Sequence, residues 1–387
     1  MRHAIKSHLT LSSFSSFNNL SIVILGFWFF GCSSSEFYTN IIEKDPQEKK
    51  LINNKTKGGE DPKTELITQP IKVVEKKNQK SKQELLKSYC KKLQGTFDKY
   101  KWGQSRCSDF SWKFVRTSVK GEPLLWKTYG RKGSEKTETT LIMCGVHGDE
   151  ITPIKFCFDV IEYLENVTKG KVFDNHTNKK ANLDGKLVIV APLVNPDSYF
   201  KSKPTRTNAN GVDVNRNFPT KDFLKHAHKS WVTRYRRDKR RNPGKRAMSE
   251  PETLFQVNLI YRYGPDKIIS VHAPLTMLDY DGPASAHEGG FVGSRANQLL
   301  IRMSEQAKGY RIKNYPFFPG SLGNYAGNER NIPTFTLELP TSDASKASSY
   351  WKLFKDSIHS AVMHEIHGEG FVALDRDENL KESTRSN

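Results

Sequence analysis

Hydrophobic and polar positions divide the chain into distinct stretches. An apolar run, Leu20 to Phe30, stands near the start, while residues 36 to about 85 and 369 to 387 are charged and poor in apolar side chains. Between them, short apolar runs alternate with stretches of helical spacing. Thr140 to Cys144, Leu187 to Ala191, Ile268 to Val271 and Thr334 to Leu339 are rich in β-branched residues and bounded by glycine, proline or charge, which predicts buried strands. Thr152 to Asn166, Pro251 to Tyr263 and Arg295 to Lys308 repeat apolar residues at helical spacing, with Pro153 near the start of the first. No internal repeat is present. This alternation predicts an α/β domain, a mixed, largely parallel twisted sheet with helices on both faces.

The Leu20 to Phe30 run follows Arg2 and Lys6 with no acid before it, the layout of a secretory signal over residues 1–31. As a helix it would span about 16 Å, well short of a bilayer core of roughly 30 Å. The Gly31-Cys32-Ser33 step resembles the cleavage and lipid-attachment site of bacterial lipoproteins, although Phe29 and Phe30 stand where such sites usually carry leucine and a small residue. That resemblance implies an exported, periplasmic protein anchored to the outer membrane through Cys32. An ordinary signal peptide or an uncleaved anchor is the alternative. Residues 32–85 read as a flexible tether able to reach across a gap of tens of ångströms. Residues 86–121 hold Cys90, Cys107 and the aromatics Phe97, Tyr100, Trp102, Phe110 and Trp112, which predicts a small packed extension that covers a sheet edge or binds wall. Outside the cytoplasm the two cysteines are able to form a disulfide. The remaining domain runs over 122–368, and a charged tail over 369–387.

Composition narrows the function classes. With 387 residues, 36% of them hydrophobic, and a mean hydropathy of -0.65, a polytopic membrane protein is excluded. Lys plus Arg total 61 against 42 acids, a net charge of +19 that attracts anionic partners. No nucleic-acid partner is expected, and the lysine-rich linker accounts for part of the excess. Lys221 to Arg246 alone carries 11 basic residues against two acids and reads first as a solvated loop or helix face, with docking on an anionic polymer or lipid as the alternative. Five cysteines without a C-x-x-C pair give no sign of a zinc ribbon or a thioredoxin-type site.

The chemistry gathers at strand ends, where open α/β sheets bind ligands. The first of the four strands is followed by His147-Gly148-Asp149-Glu150, and the third ends in Ser270-Val271-His272. Two imidazoles and one carboxylate are the ligand set of a catalytic zinc that keeps one position open. Taken singly, each histidine reads as a core or loop residue. Glu338 interrupts the apolar run Phe335 to Leu339, where an ionised carboxylate is costly unless it has a partner or a task. Arg206 to Pro219 concentrates two arginines and several amides around Gly211, the donor set that recognises a carboxylate or an oxyanion.

In this order, His-x-x-Glu, Gly-Val-Asp-x-Asn-Arg-Asn-Phe-Pro, Ser-x-His and a late Glu on a strand closely resemble the zinc carboxypeptidase family over roughly residues 122–366. The resemblance implies that His147, Glu150 and His272 bind one Zn2+ per chain and that Glu338 is the general base, later handing its proton to the leaving amine. It implies that Arg206 stabilises the oxyanion, that Asn215 and Arg216 grip a substrate carboxylate, and that Asp213 orients a zinc-bound histidine. His272-Ala-Pro-Leu, Leu278-Asp-Tyr-Asp281, Phe318 to Tyr325 and Pro333 to Pro340 look like the bacterial murein peptide amidases, which cleave the γ-D-glutamyl–meso-diaminopimelate bond of peptidoglycan peptides. Asp279 or Asp281 is then the candidate partner for the diaminopimelate ammonium; otherwise both simply form a turn with Gly282-Pro283. A carboxypeptidase for another terminal residue, a zinc deacylase and an inactive wall-binding lipoprotein are the competing readings.

Overall fold

The computed structural model describes residues 81–131, 137–173, 179–283 and 290–367, all within one compact unit, Val73–Val372. The expected leader, Cys32, nearly all of the tether and the tail lie outside the described residues.

Seven strands form one sheet: β1 (Lys127–Gly130), β2 (Glu138–Cys144), β3 (Lys186–Ala191), β4 (Lys267–His272), β5 (Met277–Tyr280), β6 (Ile312–Lys313) and β7 (Thr334–Glu338). Their order is β1-β3-β2-β4-β7-β5-β6. The four strands anticipated from sequence, β2, β3, β4 and β7, are the parallel centre; β1 is antiparallel to β3, and β5 to β7. Their near-continuous apolar character follows from burial on both faces. Along β2, Ile142 and Cys144 enter one core layer and Leu141 and Met143 the other, as the two-residue period of a strand requires.

The helices are α1 (Lys82–Lys99), α2 (Thr152–Thr168), α3 (Pro196–Tyr199), α4 (His228–Thr233), α5 (Pro251–Tyr263), α6 (Gly290–Gln306) and α7 (Ala347–Met363). The first layer receives α1, α2, α6 and α7, and the second receives α5, so helices cover both faces. Proline opens α5 and left-handed Gly264 closes it, the asymmetry expected of helix ends. In α2, Ile161 and Leu164 are fully buried, each contributing about 1.5–3 kcal/mol. Among the described residues no helix is long and apolar enough to cross a membrane.

Helix α1 starts inside the stretch read as tether. A capping box starts it: Glu84 N–H donates to Ser81 Oγ (3.2 Å) and Ser81 N–H to Glu84 Oε2 (2.7 Å). It buries Tyr89, Leu93 and Phe97 in the layer shared with α2, where Phe97 meets the edge of Phe158 at 5.4 Å. The indole of Trp102 donates to Ala344 O, just before α7, at 2.8 Å. The 86–121 segment thus shares the core of the sheet. Two disulfides staple this layer: Cys90–Cys107 ties α1 to the turn after it, and Cys144–Cys157, which sequence alone did not anticipate, ties the end of β2 to α2.

Candidate active site

Glycine builds the turn that leaves β2. Gly145 has φ +63°, and a Cβ on Gly148 would lie 2.6 Å from the backbone nitrogen of Tyr199, so α3 packs directly against the loop. This close approach holds His147 and Glu150 under the ends of β2 and β4. The Nδ1 atoms of His147 and His272 each lie 2.8 Å from a different oxygen of Glu150. The opposite ring nitrogens are held as well: His147 Nε2 meets Asp213 Oδ1 at 3.1 Å, and His272 Nε2 meets Ser270 Oγ at 3.0 Å. In the tautomer that donates Nε2–H to these outer partners, both Nδ1 lone pairs point into the cluster.

The three side chains are buried, and their ligand atoms lie within 4.8 Å of one another. Two imidazoles and a carboxylate, each ring held from its far side by Asp213 or Ser270, are a donor set that fits a zinc ion. Arg206 braces the arrangement, donating from Nε to Asp213 Oδ2 (3.0 Å) and from a terminal nitrogen to Glu150 Oε1 (3.1 Å). Burial pushes the Asp213 carboxyl up, but Arg206 and His147 overcome it and hold the group well below the usual range.

Glu338 ends β7 as the register partner of His272 on β4. One of its oxygens accepts from Leu275 N–H (3.3 Å). Burial raises its pKa, with Glu150 adding and His272 opposing. A raised carboxyl beside a metal cluster suits a group that must take and return a proton.

Asn215 and Arg216 stand on the second wall. Asn215 Oδ1 accepts from Leu322 N–H (2.8 Å), which fixes the orientation of its side-chain amide. The Arg216 guanidinium lies 4.6 Å from the Phe318 ring centre and donates to Asn215 O. Its buried Nε has no partner among the described residues. Burial lowers its pKa, and Asp213 works against that.

Asp279 and Asp281 are not equivalent. Asp279 sits opposite Thr336, and its Oδ1 accepts from Tyr315 N–H (2.8 Å). Asp281 Oδ2 accepts from Thr336 Oγ1 (3.0 Å), and its carboxyl fills the space beside Gly323, where a Cβ would lie 2.3 Å from Cγ. Thr336 and Glu338, two residues apart, lie on the same face of β7, and the Thr336 hydroxyl links that face to the Asp281 carboxyl. Burial and Asp279 push it up to about 7, against Thr336 and Arg216.

Asn208 escaped notice in the sequence. Its Oδ1 accepts from Val212 N–H and Asn210 N–H, while Nδ2 donates to Glu250 (2.7 Å) and Glu252 (2.8 Å). It pins the Arg206–Arg216 loop to the start of α5. Its only sequence signal was its place inside the amide-rich stretch.

This geometry agrees with relatives. The zinc carboxypeptidase family model matches residues 103–352. Murein peptide amidase A of Vibrio campbellii is 30% identical over 234 residues, 59% of this chain and 78% of that protein. The Escherichia coli K12 protein of that name is 29% identical over 238 residues, 60% of this chain and 82% of its own length. Among solved structures, bovine thrombin-activatable fibrinolysis inhibitor superposes with a TM-score of 0.51 at 19% identity, covering 70% of this chain and 96% of that one. A fold whose central strand ends carry a histidine–glutamate–histidine cluster, and a sequence model spanning most of the described unit, lead to one assignment: the chain belongs to the zinc carboxypeptidase family.

Proposed function

We propose that this protein is a zinc-dependent peptidase that hydrolyses the γ-D-glutamyl–meso-diaminopimelate bond of peptidoglycan peptides. The observation that carries the reading is the register pairing of His272 with Glu338, which supports a metal ligand and a proton acceptor on facing positions of neighbouring strands. His147, Glu150 and His272 would hold the zinc. The chemistry a bound zinc supplies is Lewis acidity toward the scissile carbonyl and the attacking water. Glu338 takes the proton of that water and returns it to the departing amine, a transfer its raised pKa favours. Arg206, fixed by Asp213, offers its guanidinium to the developing oxyanion.

Arg216 and Asn215 grip the carboxylate of the departing residue, and Asp281 answers the ammonium at its far end. This pairing supports a zwitterionic side chain such as that of diaminopimelate, and the amidase relatives support the same bond. Secretion through the 1–31 leader, with an anchor at Cys32, fits both the wall substrate and two disulfides, which persist in oxidising compartments.

The test is incubation of the zinc-loaded full chain with L-Ala-γ-D-Glu-meso-diaminopimelate and mass analysis of the products. Free diaminopimelate is expected from the parent and not from Glu338→Gln; no release by the parent overturns the assignment. A peptide acetylated on the side-chain amine should be a poorer substrate for the parent, and Asp281→Asn should erase that preference.

A further inference from the structure

The basic segment Lys221–Arg246 is not a loose loop. A π-helical turn, Phe223–Ala227, runs into α4, and the chain then folds back on itself. Arg237 N–H donates to Trp231 O (2.9 Å), Asp238 N–H to Tyr235 O (2.8 Å), and the Trp231 indole to Asp238 O (2.8 Å). Arg236 and Arg237 both take positive φ, 49° and 57°, a conformation that costs L-residues energy and persists only where the surroundings enforce it. The effect is to hold several cations on one rigid turn.

Its two acids do not neutralise it. Asp238 pairs with Arg241 at 3.5 Å, and Asp222 accepts from Asn324. Arg234, Arg236, Arg237 and Lys239 are exposed and have no ion-pair partner among the described residues. Three attachments tie the turn to residues beside the His147–Glu150–His272 cluster. Arg240 pairs with Asp149 at 2.7 Å, one residue from Glu150. Asn242 O accepts from Asp213 N–H (2.9 Å), and its amide donates to Gly211 O (2.9 Å). Arg234 lies 5.8 Å from the centre of the Phe318 ring, whose neighbour Arg216 sits at 4.6 Å.

We propose that the turn Arg234–Lys239 is an accessory binding surface for polymeric wall, holding carboxylates of peptides adjoining the one being cut. The inference rests on the peptidase reading given above. Continuity with Arg216 through Phe318 favours a polyanionic substrate over a lipid surface. A fixed array of cations beside a cleft concentrates an anionic substrate there and loses that effect in salt.

The test uses the zinc-loaded full chain and the variant Arg236→Asn, Arg237→Asn, Lys239→Gln; asparagine tolerates left-handed backbone, so the turn is retained. Three measurements are made: co-sedimentation with insoluble sacculi, co-sedimentation with phosphatidylglycerol vesicles, and turnover of the soluble tripeptide. The variant should bind sacculi about tenfold more weakly, at the lower end of what electrostatic focusing supplies, with tripeptide turnover unchanged within about twofold. Parent binding should fall to the variant's level in 1 M salt, where the screening length is about 3 Å. Equal sacculus binding by parent and variant overturns the proposal, as does a loss confined to vesicles. If the parent fails on the tripeptide yet its sacculus binding still depends on the turn, the substrate assignment falls and the accessory surface stands.

Discussion

His272 and Glu338 lie directly across from each other at the carboxyl ends of neighbouring parallel strands. Adjacent strands run about 4.8 Å apart, so the sheet itself sets the spacing between the proposed metal ligand and the proposed base. Loop motion has little leverage over that distance.

Glu338→Gln should therefore abolish chemistry without disturbing the metal. A loss of about 10²–10⁴ in kcat is expected for removal of a general base. Zinc content, read by atomic absorption, should stay at the parent level; zinc loss in this variant would move Glu338 from base to ligand support.

Asp213→Asn acts on the metal instead. It weakens the bond to His147 Nε2 and removes the charge that holds Arg206. Zinc affinity, measured against a competing chelator, should fall about 10–100-fold, the usual effect of losing a partner behind a ligating histidine. Unchanged affinity would show that Arg206 and Glu150 position the ring alone.

At the opposite end of the sheet, Lys267 is fully buried and donates to Glu138 Oε1 (2.7 Å) and His364 O (2.7 Å). Lys267→Met should cost about 3–5 kcal/mol in urea unfolding, because Glu138 is left buried without its counter-charge. Replacing both residues with apolar ones should recover much of that loss, and failure to recover would trace the cost to the bond with His364.

Glu252 gives stability a pH dependence. Burial pushes its carboxyl from the ordinary 4.5 to about 7, with Asn208 and the Val119 N–H opposing and Asp197 adding. Between those values the folded protein keeps a proton that the unfolded chain has released, so stability declines as pH rises through the window and levels off above about 7. The decline is on the order of 1–3 kcal/mol. Glu252→Gln should flatten this part of the curve when its urea midpoints are compared with those of the parent; parallel curves would show that Glu252 is ionised throughout.

The parallel core of the fold was legible because β2, β3, β4 and β7 are buried on both faces and carry near-continuous apolar runs. The outer strands were not: β1 and β5 have four residues each and β6 only Ile312–Lys313, too short for periodicity to register. The histidine–glutamate–histidine cluster and Glu338 stood out because strand ends hold polar residues where apolar ones are expected. Cys144–Cys157 was hidden, since pairing across a strand and the helix after it depends on how that helix lies against the sheet. Distance along the chain likewise concealed that Arg240 reaches Asp149, 91 residues earlier.

Helix α1 changes where the working enzyme begins. Its Tyr89, Leu93 and Phe97 are interior side chains of the peptidase, and Trp102 is bonded to the approach to α7. A fragment cut at residue 122, where the recognisable motifs start, would lay that apolar seam open to solvent and invite aggregation. Limited proteolysis should accordingly trim the chain to a resistant core whose new amino terminus falls at or before Ser81, the cap on which the helix is wound.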